Sequence, residues 1–162
     1  MNITVFRIDD RLIHGQIITA WLAYADAKQI VVADDKAAKD SFQQTLLKMA
    51  TPDNVQLKIM TLSEAKEAIK NDEDNTKTLF LAKGPKEALE ILDSSDEISN
   101  INVGNLNMKK GKTKVLGNLW VNNEEVDAFV ALKSRGINLE VRAVPTERSQ
   151  DVIELLKKEK LI

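Results

Sequence analysis

At 162 residues, 43% of them apolar and 30% charged, the chain can bury one sizeable core and lacks both the polar bias of disorder and the apolar run of a membrane span. A formal charge of -2 argues against nucleic acid as a partner, and the absence of cysteine excludes a disulfide framework and thiolate metal sites. The start, Met-Asn-Ile-Thr-Val-Phe-Arg, lacks the features of a secretory signal, so a cytoplasmic location is expected.

Ile3 to Ile8 is short, apolar and β-branched and predicts a buried strand that emerges into the polar cluster Arg7, Asp9, Asp10 and Arg11. From His14 to Tyr24 the apolar residues Ile17, Ile18, Trp21 and Leu22 recur at helical spacing. Gln29 to Ala33 predicts a second strand, closed by Asp34-Asp35 and followed by a helix carrying Phe42, Leu46, Leu47 and Met49 that stops near Pro52. Val55 to Met60 predicts a third strand, and the next helix is expected to be capped by Ser63. Thr78 to Ala82 is a fourth strand, after which Gly84-Pro85 opens a helix through Leu92, proline being suited to a first turn where its missing N–H is no loss. Further strands are predicted over Ile98 to Val103, Val115 to Val121 and Leu139 to Ala143, with helices over Glu124 to Lys133 and Asp151 to Lys160. Gly104 to Gly117, crowded with Asn, Lys and Gly, is expected to be a long connection of the kind that is often functional.

Strands alternating with helices imply an α/β fold: a single domain with an open, mostly parallel sheet of about seven strands and helices on both faces. In such a sheet ligands bind beyond the carboxyl ends of the strands, which directs attention to the polar residues there. The loop after the first strand is the richest. His14 is the sole histidine, and imidazole is the one neutral side-chain base and nucleophile poised near neutral pH. A lone histidine often does no more than cap or pack at a helix edge, but Arg11 is suited to bidentate phosphate contacts and Gly15 gives an anion access to backbone. That combination suits a phosphohistidine. Asp9 or Asp10 is placed to orient the His14 ring or to position Arg11, with capping of the following helix as the alternative for either; Arg7, still in the strand, is read as structural.

Other chemistries find little support. Gly111-Lys112-Thr113 resembles the end of a P-loop, but Gly104 and Gly111 are separated by six residues where a Walker motif needs four. No Gly-x-Gly-x-x-Gly follows the first strand, and one histidine gives no metal-ligand spacing. Asp34-Asp35 is read as helix capping ahead of magnesium binding. The reading therefore calls for no cofactor and no metal. Its rivals are a non-catalytic anion- or protein-binding regulatory module using the same loop, and a nucleotide-dependent sugar kinase, which would need a phosphate cradle that is not found.

The run Arg7-Ile8-Asp9-Asp10-Arg11-Leu12-Ile13-His14-Gly15-Gln16 closely resembles the active-site loop of the IIB proteins of the bacterial phosphotransferase system, mannose/fructose/sorbose family. Ile30 to Asp35, Ile101 to Gly104, Lys110 to Thr113 and Gly136 to Arg142 also look like segments of that family, so the resemblance spans the chain. It implies a domain over 1–162 that accepts a phosphoryl group from phospho-IIA on His14, at Nδ1, and delivers it to a sugar entering through membrane subunits IIC and IID. Arg11 is then expected to steady the phosphoryl group, while Asp9 and Asp10 carry over by position. One departure is Asn105, where many relatives have a second glycine after the one matching Gly104. Because the chain begins at the strand before the His14 loop and ends with its last helix, a free-standing IIB chain with IIA encoded separately is expected, peripherally associated with the membrane subunits. Partners would dock in turn over the His14 loop through modest interfaces, with Leu12 and Ile13 as candidate contacts or as core, and a homodimer is among the assemblies a domain of this size allows.

Overall fold

The computed structural model describes residues 1–93 and 97–162, at Gln16 and Ile17 in the backbone alone. In chain order the strands are β1 Asn2–Asp9, β2 Gln29–Ala33, β3 Gln56–Met60, β4 Lys77–Ala82, β5 Asn100–Asn105, β6 Thr113–Leu116, β7 Leu119–Val121, β8 Asn138–Val141 and β9 Gln150–Asp151. The helices are α1 Gly15–Ala25, α2 Ser41–Ala50, α3 Leu62–Asn71, α4 Pro85–Ile91, α5 Asn123–Ser134 and α6 Val152–Lys158.

Seven strands form one sheet in the order β3-β2-β4-β1-β5-β8-β9, parallel except for the β8–β9 pair. The central strands are buried on both faces, which is why Ile30-Val31-Val32-Ala33 and Leu79-Phe80-Leu81-Ala82 read as unbroken apolar runs. Alternation then sorts each run between two cores. Ile30, Val32, Leu79 and Leu81 face Ile18, Trp21 and Leu22 of α1 and Leu47 of α2. Val31 and Phe80 face the opposite layer of α3 to α6 and join Phe6, which stacks on Phe80 with ring centroids 4.8 Å apart.

The chain leaves β1 for α1 on one face and leaves the neighbouring β4 for α4 on the other. Adjacent strands whose connections part to opposite faces open a crevice at their carboxyl ends, the usual ligand position in an open α/β sheet. The His14 loop emerges there.

Several expectations are corrected. Val115 to Val121 is not one strand of the main sheet but the hairpin β6–β7, whose Leu116 and Leu119 pair across the two-residue loop Gly117-Asn118. Such a pair between short apolar runs is turn chemistry, and it shortens the expected long connection to the stretch between Leu106, bridged to Leu119, and Thr113. The seventh strand of the main sheet is instead the short antiparallel β9. On α2 only Leu47 enters the core, while Phe42, Leu46 and Met49 are exposed. Leu12 and Ile13 are buried, so core is the use the fold makes of them.

The cap of α3 also moves. Thr61 is the N-cap: its hydroxyl accepts from Glu64 N at 3.1 Å and Glu64 Oε1 accepts from Thr61 N at 3.0 Å, whereas Ser63 is exposed within the helix. This reciprocal pair satisfies two donors that a helix start leaves free. Thr61→Ala is expected to cost about 1 kcal/mol and to lower Tm by about 2–4 °C, while Ser63→Ala stays within roughly 0.5 kcal/mol; thermal unfolding of the two variants checks it.

Candidate active site

The His14 loop is shaped by backbone first. Asp10 N donates to Asn105 O at 3.0 Å and Leu12 N to Asp9 O at 2.9 Å, so the chain turns sharply as it leaves β1. Leu12 (φ 60) and Gly15 (φ 49) both adopt the left-handed region on either side of Ile13-His14. That conformation suits glycine but costs leucine on the order of 1 kcal/mol, which burial of the Leu12 side chain offsets. With Leu12 and Ile13 drawn into the core, His14 is left exposed at the entry to α1. It occupies the N-cap position in extended conformation (φ -141, ψ 113) and its side chain makes no capping hydrogen bond. The helix therefore makes no claim on the imidazole.

Beneath the loop lies a buried ionic network. Arg7 and Asp9 are two residues apart in β1 and so share one face of the strand. The Asp9 carboxylate accepts from Arg7 Nη2 at 3.2 Å, from Arg11 Nη2 at 2.9 Å, and from Arg11 Nε and N, both at 3.0 Å. Arg11 is thus gripped in bidentate fashion by a carboxylate that is itself buried, and its Nη1 is left without a described partner. Hydrogen bonding to Asp9 holds the Arg11 guanidinium above its already high ordinary pKa, so it remains a cation.

Arg7 is the keystone under this pair. Its Nη1 donates to Asn102 Oδ1 and, at 3.0 Å, to Arg142 O; Nη2 donates to Ala143 O at 3.1 Å. The guanidinium lies 4.7 Å from the centroid of the Trp21 ring, and Trp21 Nε1 donates to the same Ala143 O at 2.9 Å. Burial pushes the Arg7 pKa down to about 10, against the pull of Asp9, and the group stays charged at neutral pH. Gly104 is required by this packing: a Cβ there would fall 1.9 Å from Arg7 Nη2. The expectation that Arg7 is structural agrees with its full burial.

Asp10 points elsewhere. Its Oδ2 accepts from Asn107 N at 2.7 Å, and its Oδ1 accepts from Nδ2 of Asn105 at 2.9 Å and of Asn107 at 3.1 Å. The two aspartates thus divide the work expected of either: Asp9 positions Arg11 and Asp10 ties the loop to the segment after β5. Neither caps α1, and no described side chain orients the His14 ring. Asn105, the departure from the family pattern, supplies one of the bonds to Asp10 that a glycine would lack. Asp34 accepts from Ala37 N at 2.9 Å, at the start of a short 3-10 turn over Ala37–Lys39, and lies 3.7 Å from Lys83 Nζ, while Asp35 accepts from Leu62 N at 2.9 Å at the start of α3. Neither caps the next helix, α2, whose N-cap is Asp40, accepting from Phe42 N and Gln43 N. Among the described residues, no group of three or more His, Cys, Asp or Glu side chains is arranged to hold a metal ion.

The site thus presents an exposed imidazole three residues after a guanidinium fixed by a buried carboxylate, at the crevice of an open α/β sheet, a fold that places its ligands there. The model of the PTS system sorbose subfamily IIB component matches residues 3–162. Escherichia coli N-acetylgalactosamine-specific phosphotransferase enzyme IIB component 2 is 34% identical over 155 residues, covering 96% of this chain and 99% of that one. The mannose-specific EIIAB component of Escherichia coli is 31% identical over 98% of this chain, which spans 49% of that longer protein. The IIBSor domain of the sorbose permease from Klebsiella pneumoniae superposes with a TM-score of 0.92 at 28% identity, covering 98% of both chains. The chain belongs to the sorbose subfamily of IIB components of the sugar phosphotransferase system. It is accordingly a phosphotransferase of sugar uptake, and the non-catalytic binding module is not favoured. No helix among the described residues is long and apolar enough to cross a membrane.

Proposed function

We propose that His14 carries the phosphoryl group. Nδ1 attacks phosphorus on a phosphohistidine of a IIA protein; the donor N–P bond breaks as the new one forms, and the donor imidazole leaves. In the second transfer a sugar hydroxyl attacks, the His14–phosphorus bond breaks, an O–P bond forms and the hydroxyl proton is released. Such transfers need in-line placement and neutralised charge more than covalent help. The observation that carries this reading is the His14 side chain, exposed and free of the helix cap, three residues after an arginine that Asp9 holds rigid.

In this reading Arg11 contacts the phosphoryl oxygens, Asp9 is a positioning residue that acts through Arg11, and Asp10 fixes the loop. The partners are a phospho-IIA donor, the IIC and IID membrane subunits and the incoming sugar, so the domain, residues 1–162, works at the cytoplasmic face of the membrane. A mannose-family relative that joins IIA and IIB in one protein supports the first of these. Incubation with phospho-IIA is expected to add an acid-labile, base-stable phosphate, which is then lost when membranes and sugar are supplied. Arg11→Ala is expected to fold normally and to slow transfer about a hundredfold, the scale of losing one donor to a developing anion. Wild-type rates in that variant, read by rapid quench, remove Arg11 from the mechanism.

A further inference from the structure

The segment after β5 is built to be presented. On one side Asn107 is clamped by three hydrogen bonds, two to Asp10 from N and Nδ2 and one accepted from Asn105 Nδ2 at 2.8 Å. Just before it, Leu106 is buried, donating to Asn118 O at 2.9 Å and accepting from Trp120 N at 3.0 Å. On the other side Lys112 N donates to Lys109 O at 3.1 Å, Gly111 takes a positive φ of 88, and Lys112 Nζ pairs with Glu125 at 2.9 Å with both side chains nearly buried.

Between these anchors Met108 is 69% exposed. Lys109 and Lys110 beside it are exposed too, and neither is ion-paired with a described residue. An exposed methionine on a slack loop is ordinary; held on a backbone fixed at both ends, it is an adaptable apolar knob displayed to a partner. The knob belongs to the His14 edge, because β1 and β5 are neighbours and Asp9 is in register with Asn105.

Resting on the reading of His14 as phosphoryl carrier, we propose that Met108, Lys109 and Lys110 form the docking ridge for the phosphoryl-donor protein, whose matching face is an apolar hollow rimmed by carboxylates. Two exposed lysines with no ion-pair partner among the described residues steer an acidic partner. The ridge is also small, well under the roughly 800 Å² per partner of a lasting complex, which fits a donor that must dock, transfer and leave.

The test compares two phosphoryl donors acting on His14: a phosphorylated mannose-family IIA protein, which must dock, and phosphoramidate, which need not. In Met108→Asp the rate with phospho-IIA relative to that with phosphoramidate is expected to fall about tenfold or more, through a raised KM for the protein donor, as loss of a central contact would give. Lys109→Glu with Lys110→Glu is expected to lower the same ratio and to flatten its dependence on salt. An unchanged ratio in Met108→Asp overturns the docking ridge, as does a variant that keeps the ratio but fails to pass phosphate to sugar through membranes, since the ridge then serves the membrane subunits. If wild-type His14 is labelled by neither donor, the carrier reading itself fails and takes the ridge with it.

Discussion

His14→Ala is expected to abolish phosphoryl acceptance while leaving Tm within about 2 °C of wild type. The chemical half follows from there being one imidazole in the chain: no other side chain here offers an unprotonated nitrogen nucleophile near neutral pH. The structural half follows from the exposure of the residue and from an N-cap that makes no side-chain hydrogen bond, so alanine removes no buried contact and no cap. Intact-mass measurement after incubation with phospho-IIA, beside thermal unfolding, reads both. A variant that still gains one phosphoryl group sinks the assignment; one that fails to fold would mean that the exposed ring is part of the core after all.

The second large effect is expected at Asp9. Asp9→Ala strips the sole described carboxylate partner from Arg7, a charge buried between Trp21 and Gly104. Leaving such a cation without its anion costs about 3 kcal/mol, a fall of roughly 6–12 °C in Tm for a domain of this size. The same substitution frees Arg11, whose Nε, Nη2 and backbone N all bond to that carboxylate. Phosphoryl transfer measured well below the melting transition should therefore slow as well. Combining it with Arg11→Ala separates the two roles. If Asp9 acts in transfer through Arg11, the double variant transfers no more slowly than Arg11→Ala alone. Additive losses would mean that Asp9 affects transfer by a route other than Arg11 and would overturn its role as the positioning residue for that arginine.

Those roles are partly legible in the sequence. Arg7 and Asp9 lie at i and i+2 of a strand and must share a face, so their pairing is implied by the period of the strand. What no local pattern contains is the rest of the keystone: Asn102, Gly104, Arg142 O and Ala143 O come from β5 and the end of β8, about a hundred residues away in the chain. The division of labour between Asp9 and Asp10 is of the same kind. Adjacent and chemically alike, they part because one continues the inward face of β1 and the other meets the backbone of β5.

Other departures from the expected elements carry local signals. Thr61-x-x-Glu64 and Asn122-x-x-Glu125 both carry the reciprocal capping pattern, and the glutamate at the third position marks Thr61 over Ser63 as the cap of α3. Gly117-Asn118 between apolar runs is a hairpin signal that splits Val115 to Val121. The exposure of Phe42, Leu46 and Met49 had none, since an apolar helical period says that a face exists without saying whether the sheet covers it.

By itself the sequence determined the alternation of strands and helices, the burial of Ile30 to Ala33 and Leu79 to Ala82, and the single imidazole in the chain, because periodicity, turn chemistry and nucleophilicity are properties of short stretches and single side chains. Only the tertiary structure decided that Leu12 and Ile13 turn inward so that His14 turns out, that Asn102, Gly104 and the carbonyls of Arg142 and Ala143 enclose Arg7, and that Asp10 is tied to Asn107, next to the exposed Met108. Each of these joins segments far apart in the chain, and which strands become neighbours is settled by how two cores are filled at once.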